Sequence, residues 1–128
     1  MTLATGALGA AALLAPATLA AAVGPVPFNR AAFLAAQKAD KPILVQIHAD
    51  WCPTCAAQKP ILSKLEAQAD YADFVVFNVD FDKQKAIVRS FKANMQSTLI
   101  VYKGNKEVAR SVGSTDPMTI EDLFKQAI

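Results

Sequence analysis

Two short runs constrain this chain more than anything else in it: Ile43-Leu44-Val45-Gln46-Ile47 and Phe74-Val75-Val76-Phe77-Asn78-Val79. Each is nearly continuous in apolar residues, the pattern of a strand buried on both faces of a sheet. A sheet of that kind needs covering layers, and the remaining sequence supplies them. Asn29 is placed to cap a helix over residues 30–39, with Ala31, Phe33 and Leu34 apolar, and Lys41-Pro42 ends it. A second helix is expected after the cysteines and on to Ala69, with Ile61, Leu62 and Leu65 on one face and a kink at Pro60. Residues 83–93 read as a third, carrying Ile87, Val88 and Phe91 inward. Thr98–Tyr102 and Glu107–Val112 flank Lys103-Gly104-Asn105-Lys106, a hairpin signal. Thr119-Ile120-Glu121-Asp122 resembles a capping box, opening a closing helix with Ile120, Leu123 and Phe124 apolar. The order α, β, α, β, α, β, β, α predicts an α/β fold: a central mixed sheet flanked by helices on both faces. The seven phenylalanines are core material for it.

The N-terminus does not belong to that globule. No charged side chain precedes Arg30, and the stretch from Leu3 to Val23 is dominated by Ala and Leu without a polar face. Ala20, Ala21 and Ala22 supply the small residues a signal peptidase accepts. Residues 1–22 are therefore expected to be a signal peptide or an uncleaved N-terminal anchor, with residues 23–128 forming one domain. Either way the domain is expected outside the cytoplasm, in a bacterial-type cell the periplasm. Thirteen Lys and Arg against eleven Asp and Glu leave +2, without a basic run. Nucleic acid and anionic membrane surfaces need clustered positive charge and are disfavoured as partners.

Both cysteines of the chain fall in Trp51-Cys52-Pro53-Thr54-Cys55, where a buried strand turns into a helix. Two intervening residues on a first helical turn bring the sulfurs within bonding reach. The helix N-terminus adds partial positive charge and unpaired N–H donors, which stabilise a thiolate. Cys52 is expected at the turn, exposed, acidified and nucleophilic; Cys55, one turn inside, is expected to be shielded and to resolve. Pro53 fixes φ at the helix start and removes one donor, while Thr54 adds a hydroxyl without charge. The competing reading is a thiolate metal-binding or metal-delivery module built on Cys52 and Cys55, with Met95 as the one further soft ligand placed near. No metal site of convergent carboxylates, no phosphate loop and no Ser-His-Asp arrangement is identified.

The run from Lys41 to Cys55, K-P-I-L-V-Q-I-H-A-D-W-C-P-T-C, resembles the active-site strand and helix start of thioredoxins. Thr98 to Gly104 is similar to the family's later T-L-x-x-x-K-G strand and turn. The resemblance implies thiol–disulfide exchange through a mixed disulfide, Cys52 attacking and Cys55 resolving, with a redox-active Cys52–Cys55 disulfide and no other cofactor. It implies protein thiols and disulfides as substrates, and a separate redox partner for electrons. Three positions depart from the family pattern. Gln46 replaces the acid usually buried beneath the site, and an amide cannot accept the Cys55 proton. His48 replaces an aromatic residue and reads either as a tuner of the thiolate or as a structural side chain at the strand end. Ser97 stands where the family carries a cis-proline, so its peptide bond is expected to be trans and its hydroxyl within reach of Cys52. Gln96, Ser97 and Thr98 are expected to form the second wall of the site, with Trp51 as packing and substrate-surface residue.

Overall fold

The computed structural model describes residues 24–128, together with Thr2, Gly6 and residues 9–11. Apart from those five positions, the segment expected to direct export, residues 1–22, lies outside the described residues. The elements run β1 (Val26–Pro27), α1 (Arg30–Lys38), β2 (Pro42–His48), α2 (Pro53–Glu66), a 3-10 turn (Ala69–Tyr71), β3 (Val75–Asp80), α3 (Lys85–Ser90), β4 (Thr98–Lys103), β5 (Lys106–Val112) and α4 (Pro117–Lys125). They form one five-stranded sheet in the order β1-β3-β2-β4-β5. β2 lies parallel to β3 and antiparallel to β4, so the strand leading to the cysteines is central.

The alternation along β2 explains the two layers. Ile43, Val45 and Ile47 point into one cluster with Phe28, Phe33, Phe77, Val79, Val88 and Phe91, beneath α1 and α3. Leu44 points into the other, with Leu62, Leu65, Tyr71, Val76, Leu99, Ile120 and Phe124, beneath α2 and α4. The period of two thus places Gln46 on the α2 side of the sheet.

Differences from the sequence reading have local causes. β1 is an added edge strand, parallel to β3 through Val26↔Phe77, that no apolar run in the sequence announces. Pro27 is tolerated there because an edge strand does not need every N–H. α2 continues through Pro60 and stops at Glu66, three residues short of the expected end. α4 starts earlier than expected, because Asp116 is its N-cap and Pro117 lies in its first turn. The Asp116 carboxylate accepts from the Thr119 N–H at 2.8 Å, so Thr119 is a partner of the cap and not the cap itself. Among the described residues no helix is long and apolar enough to cross a membrane.

Candidate active site

The site forms where β2 ends and α2 begins. Cys52 is the N-cap of α2 in an extended conformation, and Pro53 opens the helix where a missing N–H costs nothing. The Cys55 N–H donates to Cys52 Sγ at 3.1 Å, so the sulfur does the work of a capping oxygen. Burial acts to raise the Cys52 thiol, but hydrogen bonds from Cys55, Ser97 and the Cys55 and Thr54 N–H groups outweigh it and hold the thiol below its ordinary range. Cys55 moves the other way: burial, and then its bond to Cys52, push it up. Of the two, Cys52 is thus the more readily ionised and Cys55 the less.

One expectation about the thiols is corrected. Cys52 is only 2% exposed and Cys55 is the half-buried one, the reverse of an exposed nucleophile over a shielded partner. The cause is Ser97, which closes over Cys52 from the β4 side with its Oγ 3.1 Å away. A shallow pocket lined by Ala49, Asp50, Cys52, Cys55, Ala56 and Lys59 leaves the sulfurs a way out to solvent.

Ser97 is also buried, to 2%, and its Oγ stands 3.1 Å from Cys55 Sγ as well. The chain has no cis peptide among the described residues, so the Gln96–Ser97 bond is trans, and Ser97 takes a φ of +62°. Its N–H donates to Ile47 O at 2.8 Å, and its carbonyl accepts from Gly113 N–H and Gln58 Nε2. The backbone N–H that serine regains over proline is therefore used inside the sheet. Thr98 is buried in β4 with its hydroxyl donating back to Met95 O, so it presents no free group to the sulfurs. Gln96 is half-buried and Met95 exposed beside it.

His48 and Gln46 lie deeper, below Cys55. His48 Nδ1 is 3.2 Å from Val79 O; a carbonyl can only accept, so this nitrogen carries the proton. Gln46 Nε2 donates to Glu66 Oε1 at 2.9 Å. Burial pushes the Glu66 carboxyl above its usual range, and the Gln46 amide offsets part of that. Gln46, His48, Cys55, Lys59 and Glu66 share a pocket of about 140 Å³. Trp51 is exposed on the rim, its indole N–H donating to Asp82 Oδ2 at 2.7 Å, and Thr54 is half-buried in the first turn.

Two side chains at the site, Gln58 and Glu66, belong to no motif that singles them out. Gln58 follows Cys55 by three positions and Glu66 follows Leu62 by four, so helical spacing puts both on the inward face of α2. Among the described residues no three His, Cys, Asp or Glu side chains cluster as a metal site.

The thioredoxin family model matches residues 25–126. Thioredoxin-2 of Saccharomyces cerevisiae is 36% identical over 89 residues, covering 70% of this chain and 79% of its own. A thioredoxin of Chlamydia muridarum is 32% identical over 84 residues, covering 66% of this chain and 80% of its own. Among solved structures, Trxlp from Edwardsiella tarda superimposes with a TM-score of 0.74 at 45% identity, covering 77% of this chain and 95% of that one.

Proposed function

The chain belongs to the thioredoxin family of protein-disulfide oxidoreductases, and from that premise we propose that it works as a reductase outside the cytoplasm. Cys52 attacks a protein disulfide and forms a mixed disulfide. Cys55 then attacks Cys52 Sγ, releases the second substrate thiol and leaves the Cys52–Cys55 disulfide for a separate electron donor to reduce. The exchange uses these two sulfurs alone, without organic cofactor or metal.

The observation that carries the assignment of roles is the Cys55 N–H donating to Cys52 Sγ at 3.1 Å at the N-terminus of α2, which favours a thiolate at Cys52; the directions of ionisation, Cys52 down and Cys55 up, agree with it. Trp51, Pro53, Thr54, Gln96 and Ser97 frame the approach of substrate, and His48 and Gln46 support Cys55 from below. The reductive direction is supported by Thr54, which brings no positive charge to over-stabilise the thiolate and turn the pair into a strong oxidant. The extracytoplasmic setting is supported by the uncharged, Ala-rich residues 1–22.

The test is the equilibrium between reduced and oxidised Cys52–Cys55 in glutathione buffers, on the metal-free domain. A potential of about −250 mV or lower is expected; one above about −150 mV would make the protein an oxidant and reverse the proposed direction. If no internal disulfide formed at all, exchange would fail and the thiolate metal-binding reading would take its place.

A further inference from the structure

Resolution of the mixed disulfide poses a proton problem. Cys55 is a thiol with its ionisation pushed up, yet it must reach Cys52 as a nucleophile. Beneath it stands Gln46, an amide, which cannot accept a proton. The hydroxyl of Ser97 is the side-chain group in contact with both sulfurs, 3.1 Å from each.

We infer that the Ser97 hydroxyl carries the proton of the resolving step, accepting it from Cys55 while passing its own to the departing substrate sulfur. The inference rests on the exchange reading above and assigns the proton path within it.

A hydroxyl has one hydrogen and two lone pairs, so it can accept on one side while donating on the other. At 3.1 Å either contact can run in either direction; the relay uses the arrangement in which the Cys55 hydrogen turns from Cys52 to Oγ and the Oγ–H points at Cys52 Sγ. Once Cys52 has joined a substrate sulfur it carries no charge, and that sulfur sits one S–S bond, about 2.05 Å, from Cys52 Sγ. Cys55 Sγ then bonds to Cys52 Sγ, the Cys52–substrate bond breaks, and its electron pair leaves on the substrate sulfur. The departing sulfur leaves in line, on the side of Cys52 away from Cys55, so the Ser97 hydrogen reaches it through one solvent water, and the Cys55 hydrogen replaces it on Oγ. One thiol and one mixed disulfide become one internal disulfide and one substrate thiol, with the hydroxyl restored. That water is regenerated, and no outside acid or base enters.

Three features hold the relay in place. Ser97 is 2% exposed, so water competes weakly for its hydroxyl. Its N–H and carbonyl are both engaged, by Ile47 on one side and Gly113 and Gln58 on the other. A φ of +62° at a non-glycine residue is kept only where the surroundings enforce it, and here it aims the side chain between the sulfurs. The other ionisable groups near the thiols are Asp50 and Lys59 in the outer pocket and His48, Lys59 and Glu66 in the inner one. The hydrogen-bond partners of the hydroxyl are the two cysteine sulfurs and none of these.

Single-turnover reduction of a fluorescent peptide disulfide, built from ordinary cysteines, separates attack from resolution. The wild type is expected to resolve at a rate nearly flat from pH 6 to 8, because the relay uses no hydroxide. Ser97→Ala is expected to resolve about a hundredfold more slowly at pH 7, and to quicken about tenfold per pH unit as hydroxide takes over. Ser97→Gly, which removes the same hydroxyl and also relieves the backbone, is expected to match it. Near-UV circular dichroism and a cooperative melting transition in each variant report that the domain is folded. Flat, wild-type resolution in both variants would overturn the relay. So would a steep profile appearing with Glu66→Gln or a His48 variant instead, since the proton would then travel through the inner pocket. A wild type that forms no mixed disulfide would sink the exchange reading itself, and the relay with it.

Discussion

Accessibility and ionisation pull in opposite directions at the two thiols, and this makes their order of reaction informative. Cys55 is the more exposed, but Cys52 is the one held below the ordinary thiol range. Alkylating reagents react with the thiolate, so ionisation is expected to win for a reagent as small as iodoacetamide. At pH 7 Cys52 should label first, with Cys55 catching up only as pH climbs past the usual thiol range. Peptide mapping by mass spectrometry across pH 5–10 measures both limbs. Labelling of Cys55 first would mean that reach, not charge, decides the nucleophile. Ser97 shows how far one substitution propagates: by φ, burial and hydrogen bonding it occupies every backbone group, and only its hydroxyl is left to face the chemistry.

At the scale of elements, what the sequence made legible depended on periodicity. β2 and β3 are evident because each is a near-unbroken apolar run, and the β4–β5 hairpin because Gly104-Asn105 separates the apolar Thr98–Tyr102 run from a second, more polar strand. β1 has only two residues, too few for any period, and exists because Phe28 N–H and its neighbours find β3 carbonyls. The start of α4 is not legible because Thr119 and Asp116 are joined by two hydrogen bonds, and spacing alone does not say which of them is the cap. Glu66 was illegible for another reason: its partner Gln46 lies 20 residues away on a strand, a contact that only the packed fold creates. Gly104 is the turn position that tolerates least. Its φ is +56°, and a Cβ there would stand 2.5 Å from Asp40 Oδ1. Gly104→Ala is expected to cost about 1–2 kcal/mol in backbone strain alone, which lowers the melting temperature of a domain this size by about 5 °C. An unchanged calorimetric midpoint would show that the turn relaxes freely.

For the molecule as a whole, Glu66 is a carboxylate kept half-buried against the sheet at a cost to stability. Its folded-state ionisation lies above the unfolded one, so between the two the native state binds the extra proton. Stability contributed by the protonated form is full below that window and is lost as pH rises through it. Glu66→Gln keeps a side-chain acceptor for Gln46 and removes the titration. The variant should therefore gain on the wild type between pH 4 and pH 7 in urea unfolding, and an equal gap at both values would contradict the assignment.

The central place of β2 has a consequence for recognition. The cysteines leave its C-terminal end, Ser97 bonds to Ile47 on that same strand, and Thr98 pairs beside it. The hydroxyl is thus tied to β2 through the Ser97 N–H bond to Ile47 O, and the two sulfurs are spaced by the first turn of α2 that follows the same strand. With both Ser97 backbone groups engaged, a substrate is expected to meet a site whose inner wall is already set. The conformational work of docking falls on the substrate, which favours disulfides in yielding segments over those clamped inside a finished core.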